Sequence, residues 1–240
     1  MKKRLDQLLV ERGLADSREK AQALIMAGAV MVNGQKAAKP GHSLADDVLI
    51  EVTQKLPFVG RGGLKLQRAL DHFKIDVTGK VCLDVGSSTG GFTDCLLQRG
   101  AQRVYAVDAG TGQLDWKLRN DPRVVVHENV NARYLDRSIV PEPIEFSCFD
   151  VSFISVTMVI PPAVALMTEA ADMVILVKPQ FEVGRSEVGK GGIVRDPVLH
   201  EAACAKVARA VGELGYRADI IESPVLGAEG NREFLLYARR

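Results

Sequence analysis

The sequence predicts an α/β protein in which a doubly wound sheet follows a small α+β module. After residue 60, apolar strand-like segments alternate with helical segments, which is typical of such sheets. Residues 1–52 have another pattern, with two short helices and a hairpin. A chain of 240 residues is long enough for one large and one small domain. We expect residues 53–60, which contain Pro57 and Gly60, to link the module to a domain at 61–240.

The composition is that of a globular protein. Hydrophobic residues make up 47% and charged residues 25%, and the formal net charge is +1, so nucleic-acid binding would need local basic patches. The four cysteines form no C-x-x-C pair and have no zinc spacing. No signal peptide opens the chain, and no apolar run approaches the roughly 18 residues of a membrane span. We therefore expect a cytoplasmic protein without a bound metal.

Helix and hairpin signals define the small module. A leucine-rich helix closes at Gly13, and Ser17 is placed to cap a second helix that ends at Gly28. VMVNGQKA predicts two strands joined by an Asn-Gly turn, and VLIEV predicts another strand. Basic residues near the helix starts and the turn could share one face and bind phosphates, although their charge alone is more typical of a solvated surface. These residues are Arg4, Arg18, Lys20 and Lys36.

Short motifs in this module carry a more specific signal than its charge. They are R-L-D, R-G-L-x-x-S-R, G-x-V-x-V-N-G and K-P-G, all within residues 4–41. The segment resembles the S4 RNA-binding domain. That resemblance implies RNA binding through the four basic residues and the hairpin edge, without identifying the RNA.

The larger domain follows a strand and helix alternation. RGGLKLQRALDHF predicts a helix, and five apolar segments then predict strands: KVCLDV, RVYAV, RVVVH, IEFSCF and MVILV. HEAACAKVARAVGELGY predicts a helix, and RADIIES and REFLLYARR predict two closing strands. Ligands of such sheets bind beyond the carboxyl ends of the strands.

A glycine loop, DVGSSTGG, follows the first of these strands. Gly86 permits a tight turn and a close approach of the backbone to a ligand. The spacing is neither G-x-G-x-x-G nor a P-loop, which disfavours a nicotinamide dinucleotide or a nucleoside triphosphate. Asp108 ends the second strand, where a carboxylate can accept hydrogen bonds from ribose hydroxyls. Together they favour a nucleoside cofactor over a purely structural turn.

The loop resembles motif I of the S-adenosylmethionine-dependent methyltransferases, whose sheet also has seven strands. The resemblance implies that the methionine portion of S-adenosylmethionine binds at the loop and that its ribose binds at Asp108. Asn129 or Asn131 would lie near the adenine. The residues implied at the loop are Asp84, Gly86, Ser87, Ser88, Gly90 and Gly91.

Four charged residues fall where they can share the same crevice: Lys65, Asp150, Lys178 and Glu233. Asp150 and Lys178 end the fourth and fifth strands, Glu233 begins the last strand, and Lys65 lies on the preceding helix. Any one of them alone is more typical of an ion pair at a sheet edge. All four around a glycine loop favour catalysis, in which a lysine helps a hydroxyl group to lose its proton.

This set is similar to the Lys-Asp-Lys-Glu tetrad of the FtsJ-type ribose 2′-O-methyltransferases. With the S4-like module, the motifs RGGLKL, DVGSSTGGFTD, DVSFIS, LVKPQFE, GKGGIVRD and NREFL resemble the TlyA family over nearly the whole chain. One departure is Gly60, where that family leads us to expect serine. The resemblance implies 2′-O-methylation of cytidine in ribosomal RNA. Two alternatives stay open: a non-catalytic RNA-binding protein and a pore-forming hemolysin, the name that many members carry.

Residues 183–197 are glycine-rich and charged. We expect a mobile lid over RNA, with Arg185, Lys190 and Arg195 near phosphates. The alternative is a surface loop without a role.

Overall fold

The chain folds into two compact units, residues 1–61 and 62–240. The computed structural model describes residues 2–26, 28–37, 39–52, 57–227 and 230–240, without the side chain of Lys36. The predicted linker therefore lies partly outside the described residues. Each unit has its own buried apolar cluster.

The first unit combines two helices with short strands. Its elements are β1 (Lys2–Arg4), α1 (Leu5–Glu11), α2 (Arg18–Met26), β2 (Val30–Val32), β3 (Gln35–Lys36), β4 (Ser43–Ala45) and β5 (Ile50–Val52). The predicted hairpin is confirmed, because Asn33 and Gly34 have φ angles of 49° and 75° between β2 and β3. Ser17 caps α2 by accepting a hydrogen bond of 3.2 Å from the Lys20 amide. The antiparallel pair of β1 and β4 was not predicted.

The second unit is a seven-stranded sheet flanked by helices. Its strands are β6 (Val81–Val85), β7 (Arg103–Val107), β8 (Val124–His127), β9 (Ile144–Phe149), β10 (Met167–Val177), β11 (Arg217–Glu222) and β12 (Phe234–Arg239). Its helices are α3 (Gly62–Phe73), α4 (Gly91–Gln98), α5 (Trp116–Arg119), α6 (Ile160–Val164), α7 (Pro179–Glu182) and α8 (Pro197–Glu213). The predicted α/β fold is thus confirmed.

The strand order sets the position of the site. It is β11-β12-β10-β9-β6-β7-β8, in which only the pairings of β12 are antiparallel. The strand order reverses beside β6, and the carboxyl ends of β6, β7, β9 and β10 lie on one edge. A crevice for a ligand is expected there. Glu233 lies just before β12 rather than within it, and because β12 is antiparallel, its start lies at this edge.

Glycines let two helices approach closely beside this edge. A Cβ atom on Gly91, at the start of α4, would lie 2.9 Å from the backbone nitrogen of Gly63 and 3.2 Å from the Cα atom of Gly62. Side chains at this crossing would push α3 away from α4. The RGGLKL motif therefore places α3, which carries Lys65, against the glycine loop region.

All four cysteines are buried and free, as small core residues are expected to be. Within the described ranges, no helix has the length and apolar character needed to cross a bilayer.

Candidate active site

A cavity of about 350 Å³ opens at the carboxyl edge of the sheet. The glycine loop supplies Gly86 and Ser88 to its wall, and the other walls come from residues 107–110, 130–132 and 150–154. Gly86 has a φ angle of 87°, and a Cβ atom there would lie 2.5 Å from the carbonyl oxygen of Asp150. Only glycine allows this turn to pack against the end of β9. The loop and the end of β9 thus form adjoining walls.

Asp108 lies in the cavity wall, as the sequence predicts. Its two carboxylate oxygens accept backbone hydrogen bonds, 2.8 Å from the Ser88 amide and 2.7 Å from the Gly110 amide. A carboxylate oxygen has more than one acceptor position, so these bonds orient Asp108 without saturating it. The side chain remains able to accept hydrogen bonds from a ligand hydroxyl group.

Asp84 has a different place from the one expected. It is completely buried beneath the loop and lies outside the cavity lining. Its Oδ2 atom accepts a hydrogen bond of 2.6 Å from the Thr93 hydroxyl, and the Cys148 thiol lies 3.7 Å from Oδ1. Burial raises the pKa of Asp84 to about 7, although the bond from Thr93 opposes that shift. Asp84 therefore supports the loop from below.

The other predicted loop and asparagine positions divide between the cavity and its surroundings. Asn131 lines the cavity, whereas Asn129 does not. The backbone N–H of Asn129 donates a hydrogen bond of 3.0 Å to the Gly110 carbonyl. The side chain of Asn131 also caps the next turn by accepting a bond of 3.2 Å from the Arg133 amide. Three further loop residues lie outside the cavity lining: Ser87, Gly90 and Gly91.

Lys178 and Asp150 form the first of two ion pairs at this edge. The Lys178 Nζ atom lies 2.6 Å from Asp150 Oδ1 and donates to the Ser152 hydroxyl over 2.8 Å. Asp150 and Ser152 also line the cavity. The Lys178 side chain is only 11% exposed. The amine is therefore held next to the space that a ligand would fill.

Lys65 and Glu233 form the second pair, and it is more deeply buried. Lys65 Nζ bonds directly to Glu233 Oε2, and the side chains are 10% and 2% exposed. Gly227 provides room for this carboxylate, because a Cβ atom there would collide with the Glu233 side chain. The predicted four residues are thus arranged as two lysine–carboxylate pairs.

Known proteins are similar to this chain over nearly its whole length. Residues 58–240 match the family described as FtsJ-like methyltransferase, and residues 3–47 match the S4 domain. The chain is 47% identical over 239 residues to the 16S/23S rRNA (cytidine-2'-O)-methyltransferase TlyA of Mycobacterium tuberculosis, covering 98% of this chain and 89% of that protein. The chain belongs to the TlyA family of FtsJ-like methyltransferases.

Two further relatives carry the family's other name. Hemolysin A of Brachyspira hyodysenteriae is 43% identical over 236 residues, and the match covers 98% of both chains. A solved structure from Streptococcus thermophilus that carries a hemolysin name is 41% identical with a TM-score of 0.78, and the match covers 100% of this chain and 88% of that one. The sequence resemblance to the TlyA family is therefore confirmed.

Sequence reasoning missed two features of this TlyA-family site. Ser152 bonds the Lys178 amine, and Phe153 stands at the cavity rim with 90% of its surface exposed and a φ angle of 69°. An aromatic residue rarely adopts this left-handed conformation. Its ring lies 5.5 Å from the Phe181 ring. The DVSFIS motif contained both residues, but its pattern gave no indication of strain or exposure.

The predicted lid of this TlyA-family chain is anchored at its C-terminal part. Asn231 is buried; it accepts a hydrogen bond of 3.1 Å from the Val194 amide and donates one of 2.9 Å to the Gly192 carbonyl. Residues 192–194 are therefore hydrogen-bonded to Asn231, and the mobility of the lid stays a prediction. Its predicted phosphate-binding cations are exposed: Arg185, Lys190 and Arg195.

The S4 unit has a polar cluster of its own. Asp6 is completely buried and accepts bonds of 2.9 and 2.8 Å from the Arg4 guanidinium and one of 2.9 Å from Gln22. Arg18 approaches the same carboxylate to 3.4 Å. These bonds, that from Arg4 above all, hold the pKa of Asp6 below its usual range despite its burial. Lys20 pairs with Asp16 over 3.1 Å instead.

Proposed function

We propose that this chain transfers the methyl group of S-adenosylmethionine to a ribose 2′-hydroxyl of ribosomal RNA, at a cytidine. One observation carries the proposal: Asp150, the partner of Lys178, is also part of the wall of the glycine-loop cavity. A cofactor site and an amine suited to proton transfer are therefore adjacent. The relatives named as cytidine-2'-O-methyltransferases support the choice of substrate.

The residues present fit S-adenosylmethionine. The cavity volume of about 350 Å³ lies within the range of roughly 300–1,000 Å³ that holds small molecules. The oriented carboxylate of Asp108 would accept bonds from the ribose hydroxyls, and the turn at Gly86 admits the methionine portion close to the backbone. When bound, the cofactor supplies an electrophilic methyl group.

Lys178 would act on the hydroxyl of the RNA. An ammonium group has three donors, and among the described residues Lys178 uses two, toward Asp150 and Ser152. The third can orient the 2′-oxygen and stabilise negative charge that develops as its proton leaves. A neutral Lys178 amine would accept that proton directly. Asp150 fixes the direction of the Lys178 side chain both as an ammonium group and as a neutral amine.

Lys65 and Glu233 would hold the ribose from the opposite side. Their buried pairing restricts both side chains to one geometry, as positioning a weak nucleophile requires. The exposed ring of Phe153 offers a surface on which the target base can stack. Together with Lys178, these three side chains would thus place the hydroxyl in line with the methyl group.

The S4 unit would capture the RNA. The buried carboxylate of Asp6 holds Arg4 and Arg18 in fixed directions, while 44% and 49% of their side-chain surfaces remain exposed for phosphates. Gly41, in the K-P-G motif, lies beside the Arg4 guanidinium, where a Cβ atom would be in van der Waals contact with Arg4 Nη1 at 3.4 Å. Three motifs of the S4 pattern therefore converge on one pair of arginines.

A labelled-methyl assay tests the function. The wild-type chain is incubated with S-adenosylmethionine that carries a labelled methyl group and with ribosomal subunits from a strain lacking the gene. We expect label in RNA at one linkage that resists alkaline hydrolysis, and a loss of at least about 100-fold with Lys178→Ala, within the range typical of general acid–base groups. Lys178→Arg keeps the charge but does not accept a proton.

The outcomes separate the candidate functions. Activity of Lys178→Arg near the wild-type level would assign the residue an electrostatic role instead of a basic one. Cofactor binding without any label in RNA would favour the non-catalytic RNA-binding protein. Leakage of liposomes by the purified chain would favour the hemolysin.

A further inference from the structure

Glu182 is a buried acid that the proposed reaction does not use. It is the last residue of α7, four positions after Lys178, and its side chain is only 2% exposed. Its carboxylate accepts a hydrogen bond of 2.5 Å from the Ser155 hydroxyl and one of 2.7 Å from the Val156 amide. Lys206 of α8 lies 2.9 Å from the same carboxylate. Glu182 thus joins three segments that are distant in sequence.

Two of these segments carry the reaction site. Residues 150–154 line the cavity and include Asp150 and Ser152, and the backbone continues directly to Ser155 and Val156. The other segment begins at Lys178, which forms the N-terminal cap of the short helix α7. The segments are connected at one end by the bonds of the Lys178 amine and at the other end by Glu182. Between these ends, the rings of Phe153 and Phe181 meet at 5.5 Å.

The three partners of the Glu182 carboxylate all donate to it. Both partners from the 150–156 segment are donors, a hydroxyl and a backbone amide, and Lys206 is a cation. A glutamine of the same shape has one acceptor oxygen and would turn an amine toward one of these donors. Leaving a buried donor unsatisfied costs more than the lost bond alone.

We propose that Glu182 is a positioning residue that fixes the position of the 150–156 segment relative to Lys178. It acts through Ser155 and Val156 and does not touch the substrate. The Lys178 amine lies 2.6 Å from Asp150 and 2.8 Å from Ser152, and these bonds depend on the relative position of the two segments. Because a displacement of about 1 Å can lower a rate about 100-fold, a loosened segment slows methyl transfer without removing a reacting group.

The inference depends on the proposed function for its kinetic effect, and it is tested with the full chain. We expect Glu182→Gln to lower kcat 10- to 100-fold while KM for RNA and Kd for S-adenosylmethionine change less than about threefold. Glu182→Asp keeps the charge but is one methylene shorter, so it should lose activity as well. Glu201→Gln is the matched control, because it makes the same change at an exposed position of α8 and leaves the bonds to Ser155 and Val156 in place.

A readout that needs no activity tests the connection itself. Hydrogen exchange of the Val156 amide should accelerate at least tenfold in Glu182→Gln and stay near the wild-type rate in Glu201→Gln. An inactive wild type would contradict the proposed function, while the exchange data would still decide the role of Glu182. Unchanged exchange, or kcat of Glu182→Gln within twofold of wild type, would overturn the inference. A fall in kcat that only matches a fall in folded protein would also overturn it.

Discussion

Both units of the molecule arrange cations around buried carboxylates, but they expose these cations to different degrees. In the S4 unit, Asp6 is completely buried, whereas the side chains of Arg4 and Arg18 remain 44% and 49% exposed. In the methyltransferase unit, the Lys65 and Lys178 side chains are only 10% and 11% exposed. The carboxylates therefore serve two purposes, presenting cations to solvent in one unit and enclosing them in the other.

The choice of cation fits each purpose. A guanidinium has five donors in a planar fork, so Arg4 can bond Asp6 with one edge and keep the other edge for a phosphate. A lysine amine is compact, so an enclosed lysine can direct a donor at a single hydroxyl oxygen. The comparison predicts that breaking an enclosed pair affects folding and activity together, while breaking the exposed cluster affects binding.

The enclosed Lys65–Glu233 pair should show the largest effect. Lys65→Met leaves a buried carboxylate without its partner, which costs about 3–5 kcal/mol of unfolding free energy, and methyl transfer should fall at least about 100-fold. Urea unfolding and the labelled-methyl assay measure the two effects. Arg99→Met, which breaks an exposed pair with Asp71, is the control and should cost less than about 1 kcal/mol.

A double variant separates stability from catalysis in this pair. Lys65→Met combined with Glu233→Leu replaces both charges with apolar groups, so most of the lost stability should return. Activity should stay low, because the groups proposed to hold the ribose are gone. Recovery of methyl transfer in the double variant would show that the pair is only structural.

The residues of the lysine–carboxylate pairs can be predicted from the sequence, but the roles of two other buried carboxylates cannot. A lysine at the end of an apolar strand is a visible anomaly, and the alternation of strands shows that Asp150 and Lys178 share an edge. Glu182 gave no such signal, because its partners at Ser155 and Val156 are defined by the packing of α7 against the 150–156 segment. Asp84 was assigned to the cofactor from its motif, yet β6 is central in the sheet, and its side chain is turned into the interior.

The exposed arginine cluster should show an intermediate effect. Asp6→Asn removes a negative charge, so simple electrostatics would predict tighter RNA binding. If the carboxylate serves to orient Arg4 and Arg18, binding should instead weaken about tenfold, because both guanidinium groups lose their common partner. Fluorescence anisotropy with a labelled ribosomal RNA fragment at fixed salt measures the change in Kd.

A second variant controls for charge in that experiment. Asp16→Asn removes the same charge from a carboxylate that is 81% exposed and pairs with Lys20. Its Kd for RNA should be unchanged or slightly lower. Equal tightening by both variants would contradict an orienting role for Asp6, and thermal unfolding would show whether either variant has lost folded protein.

A third buried carboxylate sharpens the comparison, because Asp84 is held by a hydroxyl and not by a cation. Burial raises its pKa to about 7, whereas the arginines hold the pKa of Asp6 below its usual range. The two acids therefore contribute to stability with opposite dependence on pH. Asp6 stabilises the fold above its unfolded pKa, and this contribution is lost in acid.

Asp84 should show a pH dependence of the opposite sign. Between its unfolded pKa of 3.8 and its folded pKa of about 7, the folded state keeps a proton that the unfolded state has released. Its stabilisation is thus complete below pH 3.8, declines as pH rises and is gone above about pH 7. Asp84→Asn keeps the shape and does not titrate, so wild type should lose stability relative to the variant between pH 5 and pH 8. A constant difference in urea-unfolding free energy over that range would show that the buried carboxyl does not take up a proton on folding.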